Sequence, residues 1–284
     1  MRTVQDKPVA LVTGSSSGFG LLTCVELASR GFIVIAGVRR METAGPLKEA
    51  GMRTGAGESI RPVPLDVTSP AGAEAVVQDI ASRYGRLDVL VNNAGTAYGG
   101  FIEEVPAEIW LEQMNTNFHG MVRVTQAVLP LMRENGKGRI IQMSSISGRV
   151  GFPGYAPYAS SKFAVEGFSE CLALEVKPFG IDVVLIEPGA YGTPIWDKGF
   201  TQMSASEGSP YQGMLNKVLA FSRKSAQQGG DPSEVAGMVA DIACMKRPAF
   251  RYALPRSTKL TIGAKSALPA RLFQKLMASV LGRS

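Results

Sequence analysis

Short apolar, β-branched runs alternate along the chain with longer stretches in which apolar residues recur every three or four positions. Strand-like runs occupy Val9–Thr13, Phe32–Val38, Val63–Val67, Leu87–Asn92, Arg139–Met143 and Ile181–Ile186. Helix-period patterns lie between them, near 19–30, 70–84, 106–133 and 157–177, the last closed by Pro178 and Gly180. Phe32–Val38 and Ile181–Ile186 are apolar on both faces, as strands buried in a parallel sheet must be. This alternation predicts an α/β fold, a single doubly wound parallel sheet with helices on both faces. One domain is expected over 1–246, with an irregular segment near 190–230 and a helix at 232–246. Residues 247–284 are expected to form a basic extension packed on that domain, with a short strand and one amphipathic helix.

Composition narrows the classes. Of 284 residues, 45% are hydrophobic and 19% charged, which suits a globular chain with a large core. No apolar run approaches the roughly 18–20 residues of a membrane span. The polar opening MRTVQDK leads straight into an apolar run and leaves no room for a secretory signal, so a cytoplasmic location is expected. Cys24, Cys171 and Cys244 stand far apart without a CxxC pair, which argues against a disulfide framework or a zinc cluster and fits a reducing compartment. His119 is the only histidine, so no multi-histidine metal site is expected. The net charge of +6 is unevenly placed. No Asp or Glu follows Asp241, yet nine Lys and Arg do, while residues 1–241 hold 21 basic against 24 acidic side chains. Such a segment either solvates a surface or meets anionic lipid, an acidic protein or a phosphorylated substrate. Aromatic and basic residues do not interleave, so nucleic acid is not an expected partner.

The first strand feeds directly into Thr13-Gly14-Ser15-Ser16-Ser17-Gly18-Phe19-Gly20, where a helix begins. Glycines let such a turn adopt positive φ and bring backbone amides close to a ligand. The helix start then offers free N–H groups and the positive end of its dipole to a pyrophosphate. In this strand–turn–helix setting the pattern predicts a Rossmann-type dinucleotide site, and the lack of a Gly-Lys-Ser/Thr sequence excludes a Walker loop. The second strand ends in Gly37-Val38-Arg39-Arg40. An NAD-preferring site usually has Asp or Glu here to hold the adenosine ribose. A guanidinium would instead pair with a 2′-phosphate. NADP is therefore expected over NAD, with Arg39 as the principal contact and Ser15 or Ser16 as hydroxyl partners.

Further along stand Asp66-Val67, Asn92-Asn93-Ala94-Gly95, Asn117, Ser144-Ser145, Tyr158-Ala-Ser-Ser-Lys162 and Pro188-Gly189 followed by Thr193. Tyr158 and Lys162 are four apart and share a helix face. A free phenol has a pKa of about 10 and is a poor base at neutral pH. An ammonium within about 4–6 Å favours the phenolate, and a drop of two to three units corresponds to roughly 3–4 kcal/mol. A phenol tuned in this way can exchange a proton with a ketone or alcohol oxygen. In this order and spacing the motifs resemble the short-chain dehydrogenase/reductase family, from Val9 to about Gly189, with Phe19 where the family more often has Ile or Leu.

The resemblance implies an oxidoreductase that passes hydride between a nicotinamide cofactor and a carbonyl or alcohol. It implies that Ser145 binds the substrate oxygen, with Ser144 only its neighbour. Lys162 would also hold the nicotinamide ribose, and Asn117 would hold a water linking Lys162 to solvent. Gly14, Ser16, Ser17, Gly18, Phe19 and Gly20 would surround the phosphates. Asp66 with Val67 would cap the adenine, Asn93, Ala94 and Gly95 would shape the adenosine side, and Pro188, Gly189 and Thr193 would meet the nicotinamide end. An epimerase or dehydratase on the same fold and a non-catalytic dinucleotide-binding protein are the alternatives. Trp196, Phe200, Met203, Tyr211, Met214, Leu215 and Phe221 suggest an apolar lid over a bulky small-molecule substrate. The C-terminus resembles that of hydroxysteroid and retinol dehydrogenases, which act on lipophilic carbonyls. Residues 268–281 place Leu268, Leu272, Phe273, Leu276, Met277, Val280 and Leu281 largely on one helical side, suited to packing or to a peripheral membrane contact. The family's habits also imply a homodimer or homotetramer through the helices at 106–133 and 157–177.

Overall fold

The computed structural model describes residues 7–195 and 208–282, apart from the side chains of 280–282. Within it the strands are β1 (Val9–Thr13), β2 (Ile33–Val38), β3 (Ile60–Pro64), β4 (Val89–Asn92), β5 (Gly138–Met143), β6 (Ile181–Pro188) and β7 (Arg251–Leu254). They form one parallel sheet in the order β3-β2-β1-β4-β5-β6-β7. Every residue of β1, β2 and β4 is buried, which explains their unbroken apolar runs. The order reverses between β1 and β4, and a crevice opens at the carboxyl ends of the strands there.

Helices cover both faces. On one side α1 (Gly18–Ser29), α2 (Gly45–Arg53) and α8 (Pro232–Cys244) bury Cys24, Leu27, Leu47, Val235 and Val239 against Val12, Val34 and Val91. On the other, α3 (Pro70–Tyr84), α5 (Gly120–Glu134) and α6 (Ala156–Val176) bury Ile80, Val124, Val128 and Leu172 against Leu11, Ile35, Leu90 and Ile140. The doubly wound architecture is thus the one the pattern predicts.

Several boundaries differ, each for a local reason. The third strand forms at Ile60–Pro64, not Val63–Val67, because it is a sheet edge that tolerates Pro62 and Pro64 and leaves Arg61 and Pro64 exposed. The helical stretch at 106–133 divides into α4 (Ala107–Met114), a π-helical turn at Asn115–His119 and α5. The segment near 190–230 is not wholly irregular, since α7 (Gln212–Gln227) occupies its second half. Two C-terminal helices form instead of one, α9 (Arg256–Ala267) and α10 (Ala270–Gly282), divided at Leu268-Pro269. Phe273 of α10 is buried, while Leu272 and Leu276 remain exposed. Of the anticipated lid, Trp196, Phe200 and Met203 lie outside the described residues. Tyr211 stacks on Phe101, with ring centroids 4.7 Å apart, and Leu215 packs into the same cluster.

Candidate active site

The Gly-rich turn is fastened to the neighbouring strand end. Thr13 Oγ1 accepts hydrogen bonds from the backbone N–H groups of Asn93 (3.0 Å) and Ala94 (2.9 Å). In return Asn93 Nδ2 donates to the carbonyls of Thr13 (2.9 Å) and Gly14 (3.1 Å). This lacing brings backbones so close that side chains are excluded. A Cβ on Gly14, whose φ is +68°, would lie 2.7 Å from Ala94 Cα, and one on Gly20 would lie 2.3 Å from the Gly14 carbonyl oxygen. Ser17, the N-cap of α1, makes no side-chain capping bond, so the first amides of the helix are left for a ligand.

The resulting cleft has a volume of about 580 Å³, within the range of small-molecule and cofactor sites. Gly14, Ser16, Ser17, Gly18 and Phe19 line its phosphate end, with Arg39, Asp66 and Val67 beside them. Asn93, Ala94 and Gly95 form one wall, and Ser145, Tyr158, Lys162, Gly189 and Thr193 stand at the other end. Arg39 and Arg40 are exposed and have no ion-pair partner among the described residues. Open helix amides, a glycine turn and two free guanidinium groups fit a dinucleotide carrying several negative charges.

Three expected contacts fall elsewhere. Ser15 is buried and turns inward, its hydroxyl donating to the Val12 carbonyl at 2.8 Å, so of the two candidate serines only Ser16 faces the cleft. Gly20 sits behind the turn as a spacer that lets α1 approach β1. Pro188 lies behind Gly189, its carbonyl facing Ser145 Oγ at 3.5 Å. Asp66 does reach the cleft, but its Oδ1 already accepts from the N–H (2.9 Å) and hydroxyl (2.7 Å) of Thr68, forming the turn after β3.

At the opposite end, α6 carries Tyr158 in its first turn and Lys162 in the next. Lys162 is buried and donates to the Met143 carbonyl at 2.7 Å, with its Nζ 5.7 Å from the centre of the Tyr158 ring. Burial pulls its pKa down to about 8, against the opposing pull of Glu166 one helical turn away. The expected acidification of Tyr158 is not what this arrangement gives. Burial pushes the phenol upward, with the Ser145 hydroxyl working against that rise. The reason is that removal from water penalises the phenolate more than the bond to Ser145 favours it, while the Lys162 ammonium is directed to the Met143 carbonyl.

Ser145 Oγ also accepts from the Ser147 N–H at 3.1 Å, which fixes the hydroxyl at the end of β5. Asn117 lies in the π-helical turn with both amide hydrogens engaged, one on the Thr96 carbonyl (2.9 Å) and one on Ser161 Oγ (3.0 Å). Its Oδ1 accepts from the Thr96 N–H at 2.8 Å. The side chain therefore ties the β4 loop to α6 and has no donor left for the expected water. Ser161 continues this brace by donating to the Tyr158 carbonyl at 2.7 Å. Arg40, Thr96, Tyr98 and Tyr191 also line the cleft. Of these only Arg40 carried a signal in the sequence, as the neighbour of Arg39.

Fold and cleft together define a protein of the dinucleotide-binding type, with Ser145, Tyr158 and Lys162 at the end of the cleft away from Arg39 and Asp66. Residues 8–204 match the family model described as short chain dehydrogenase. The uncharacterized oxidoreductase YusZ of Bacillus subtilis (strain 168) is 42% identical, over 97% of this chain and 99% of its own length. The 3-ketodihydrosphingosine reductase of Bacteroides thetaiotaomicron is 38% identical, over 94% of this chain and 95% of its own. Among solved structures, an actinorhodin polyketide ketoreductase variant with NADPH superposes with a TM-score of 0.73 at 34% identity, covering 89% of this chain and 97% of that one. The chain belongs to the short-chain dehydrogenase/reductase family and is a hydride-transfer oxidoreductase. Solved neighbours of this fold hold NAD in one case and NADP or NADPH in others.

Proposed function

We propose that the protein uses NADP(H) to interconvert a bulky, apolar ketone and its alcohol, with Tyr158, Lys162, Ser145 and Asn117 as the working side chains. The observation that carries this reading is the placement of Ser145, Tyr158 and Lys162 at one end of a cleft whose other end holds the glycine turn and Arg39. A bound nicotinamide supplies or accepts the hydride. Ser145 Oγ hydrogen-bonds the substrate oxygen, and the Tyr158 hydroxyl gives that oxygen its proton as the carbonyl is reduced. Burial suits Tyr158 to this direction, since a phenol whose pKa is raised stays protonated at neutral pH. The Lys162 ammonium then stabilises the phenolate left behind. Asn117 acts by bracing Thr96 and Ser161, and through Ser161 the backbone of Tyr158.

Support for NADP comes from Arg39 and Arg40, which occupy the place of the acidic ribose-binding residue. Support for an apolar substrate comes from the 3-ketodihydrosphingosine reductase and polyketide ketoreductase relatives. The apolar groove of about 930 Å³ between α7 and α10, walled by Met214, Val218, Leu268, Phe273 and Met277, is separate and shares no lining residue with the cleft of Tyr158. Exposed Leu111, Phe163 and Leu174 on α4 and α6 favour self-association into a dimer or tetramer. Three free cysteines suit a cytoplasmic setting, and among the described residues no helix is long and apolar enough to cross a membrane. The α10 helix, with Leu272 and Leu276 exposed, is suited to a peripheral contact with anionic lipid.

The test is oxidation of NADPH and NADH over a panel of aliphatic, aromatic and polycyclic ketones. NADPH should be preferred, and Arg39→Asp should move the preference toward NADH by roughly ten- to a hundredfold, the worth of a charge-assisted hydrogen bond. Tyr158→Phe should abolish turnover while NADPH still binds. Binding without turnover on every ketone would overturn the reading.

A further inference from the structure

Beneath Lys162 lies a group of charges that the reaction outlined above does not use. Glu166, one turn further along α6, is buried, as is Glu187 on β6. Arg251 of β7 reaches between them, its Nε 3.2 Å from Glu166 Oε2 and 3.2 Å from Glu187 Oε1. Its Nη2 holds Glu170 Oε1 at 2.5 Å, and Arg149 Nη1 holds Glu187 Oε1 at 2.9 Å. Three carboxylates thus face two guanidinium groups, and the cluster is neutral only when the Lys162 ammonium is counted with it. Buried charges require such pairing.

The cluster also touches the Ser144–Ser145 shelf. Ser144 Oγ faces the Glu166 carboxylate without closing a hydrogen bond of normal geometry. Gly148 packs between them, since a Cβ there would lie 2.7 Å from Ser144 Oγ, 3.0 Å from the Lys162 carbonyl oxygen and 3.1 Å from Glu166 Cγ. Around the lysine, α6 presents Tyr158 and Glu166, with the exposed Glu170 a further turn along, and the end of β5 presents the Met143 carbonyl, Ser144 and Ser145. Glu187 approaches from β6, Arg251 from β7 and Arg149 from the turn after β5. Glu166 is therefore the carboxylate nearest Lys162 along the helix, and it is positioned by a residue from the basic C-terminal segment.

We propose that Glu166, clamped by Arg251, is a positioning residue that holds the Lys162 ammonium in its charged form beneath Tyr158. Arg251 pairs with Glu166 and works against the rise that burial and the neighbouring Glu187 impose on its carboxyl, and ionised Glu166 makes a buried cation tolerable one turn away. The basic C-terminal segment thereby gains a part in the site through a single side chain.

This inference rests on the proposed role of Lys162, so its test reads the lysine directly. In the ligand-free full-length protein carrying ¹³C-labelled lysine, the Lys162 ¹³Cε resonance, assigned by its loss in Lys162→Arg, is followed against pH by NMR. Glu166→Gln should lower its titration midpoint by about one unit, because an anion that favours the charged amine is gone. Glu166→Asp, which keeps the charge but withdraws it by one methylene, should shift it less and in the same direction. It carries the test alone if the amide variant does not fold. The alkaline fall of kcat should move with the midpoint, whereas general loosening would admit water to the lysine and move the midpoint upward. An unchanged midpoint in the Gln variant, or in the Asp variant where that alone folds, overturns the proposal. Failure of Tyr158→Phe to affect turnover would instead overturn the reaction assigned to the site and leave the midpoint result standing.

Discussion

Replacing Lys162 with methionine separates what the lysine costs the fold from what it does for the chemistry. Burial lowers the lysine from 10.5 to about 8. At roughly 1.36 kcal/mol per unit, a cation held at this site below pH 8 destabilises the folded state by about 3 kcal/mol relative to the unfolded chain. The bond from Nζ to the Met143 carbonyl is lost in the variant, which returns about 1 kcal/mol. Methionine should therefore raise stability by about 2 kcal/mol at pH 7, a gain of a few °C in Tm, while turnover disappears. The sign of the pH dependence follows from the lowered midpoint. The wild-type protein has the lysine-linked stability in full above pH 10.5 and loses it as pH falls toward 8; the variant lacks this slope. The advantage of methionine should accordingly be full at pH 7 and fade between about pH 8 and 10.5. Urea denaturation of both proteins at intervals from pH 7 to 10 measures it. A variant no more stable than wild type at pH 7, or a difference that does not change with pH, would refute the reasoning.

Ser15→Ala should remove the bond to the Val12 carbonyl and cost about 1 kcal/mol of stability without altering the ratio of NADPH to NADH affinity, whereas Ser16→Ala should weaken NADPH at unchanged Tm. Fluorescence titration with each coenzyme and a melting curve distinguish the two serines. Gly20→Ala puts a methyl group 2.3 Å from the Gly14 carbonyl oxygen and 2.5 Å from Asn93 Nδ2, so it should destabilise the fold by about 1–3 kcal/mol. It should also weaken both coenzymes together, since the turn itself is displaced; calorimetric binding of NADPH and NADH would detect a selective loss, which would contradict this account.

How much of this site could be read from the residues depends on how far apart in the chain the interacting groups lie. The glycine turn is local, because α1 begins at Gly18, directly after the turn that follows β1, and the sequence order itself implies the geometry. Tyr158 and Lys162 are local in the same sense, being fixed by one helical turn. Their proton affinities are not, because those depend on how completely β5, β6 and the following turns exclude water, and spacing on α6 carries no information about that. Ser15 and Ser16 look equivalent in a serine run, and only the bond from Ser15 to Val12 shows that one of them belongs to the core. The α2 and α7 helices escaped notice because Gly45, Pro46 and Gly51, or Lys217, Ser222 and Lys224, dilute the apolar period that marks a helix. Arg251 is the extreme case. It stands 85 residues beyond Glu166 in a segment whose composition suggests only a charged surface, and β7 pairing beside β6 gives it a partner. The charge asymmetry of the C-terminus therefore has two physical origins. Most of its cations face solvent, while the guanidinium of Arg251 turns inward to offset carboxylates that the acidic body of the chain has buried.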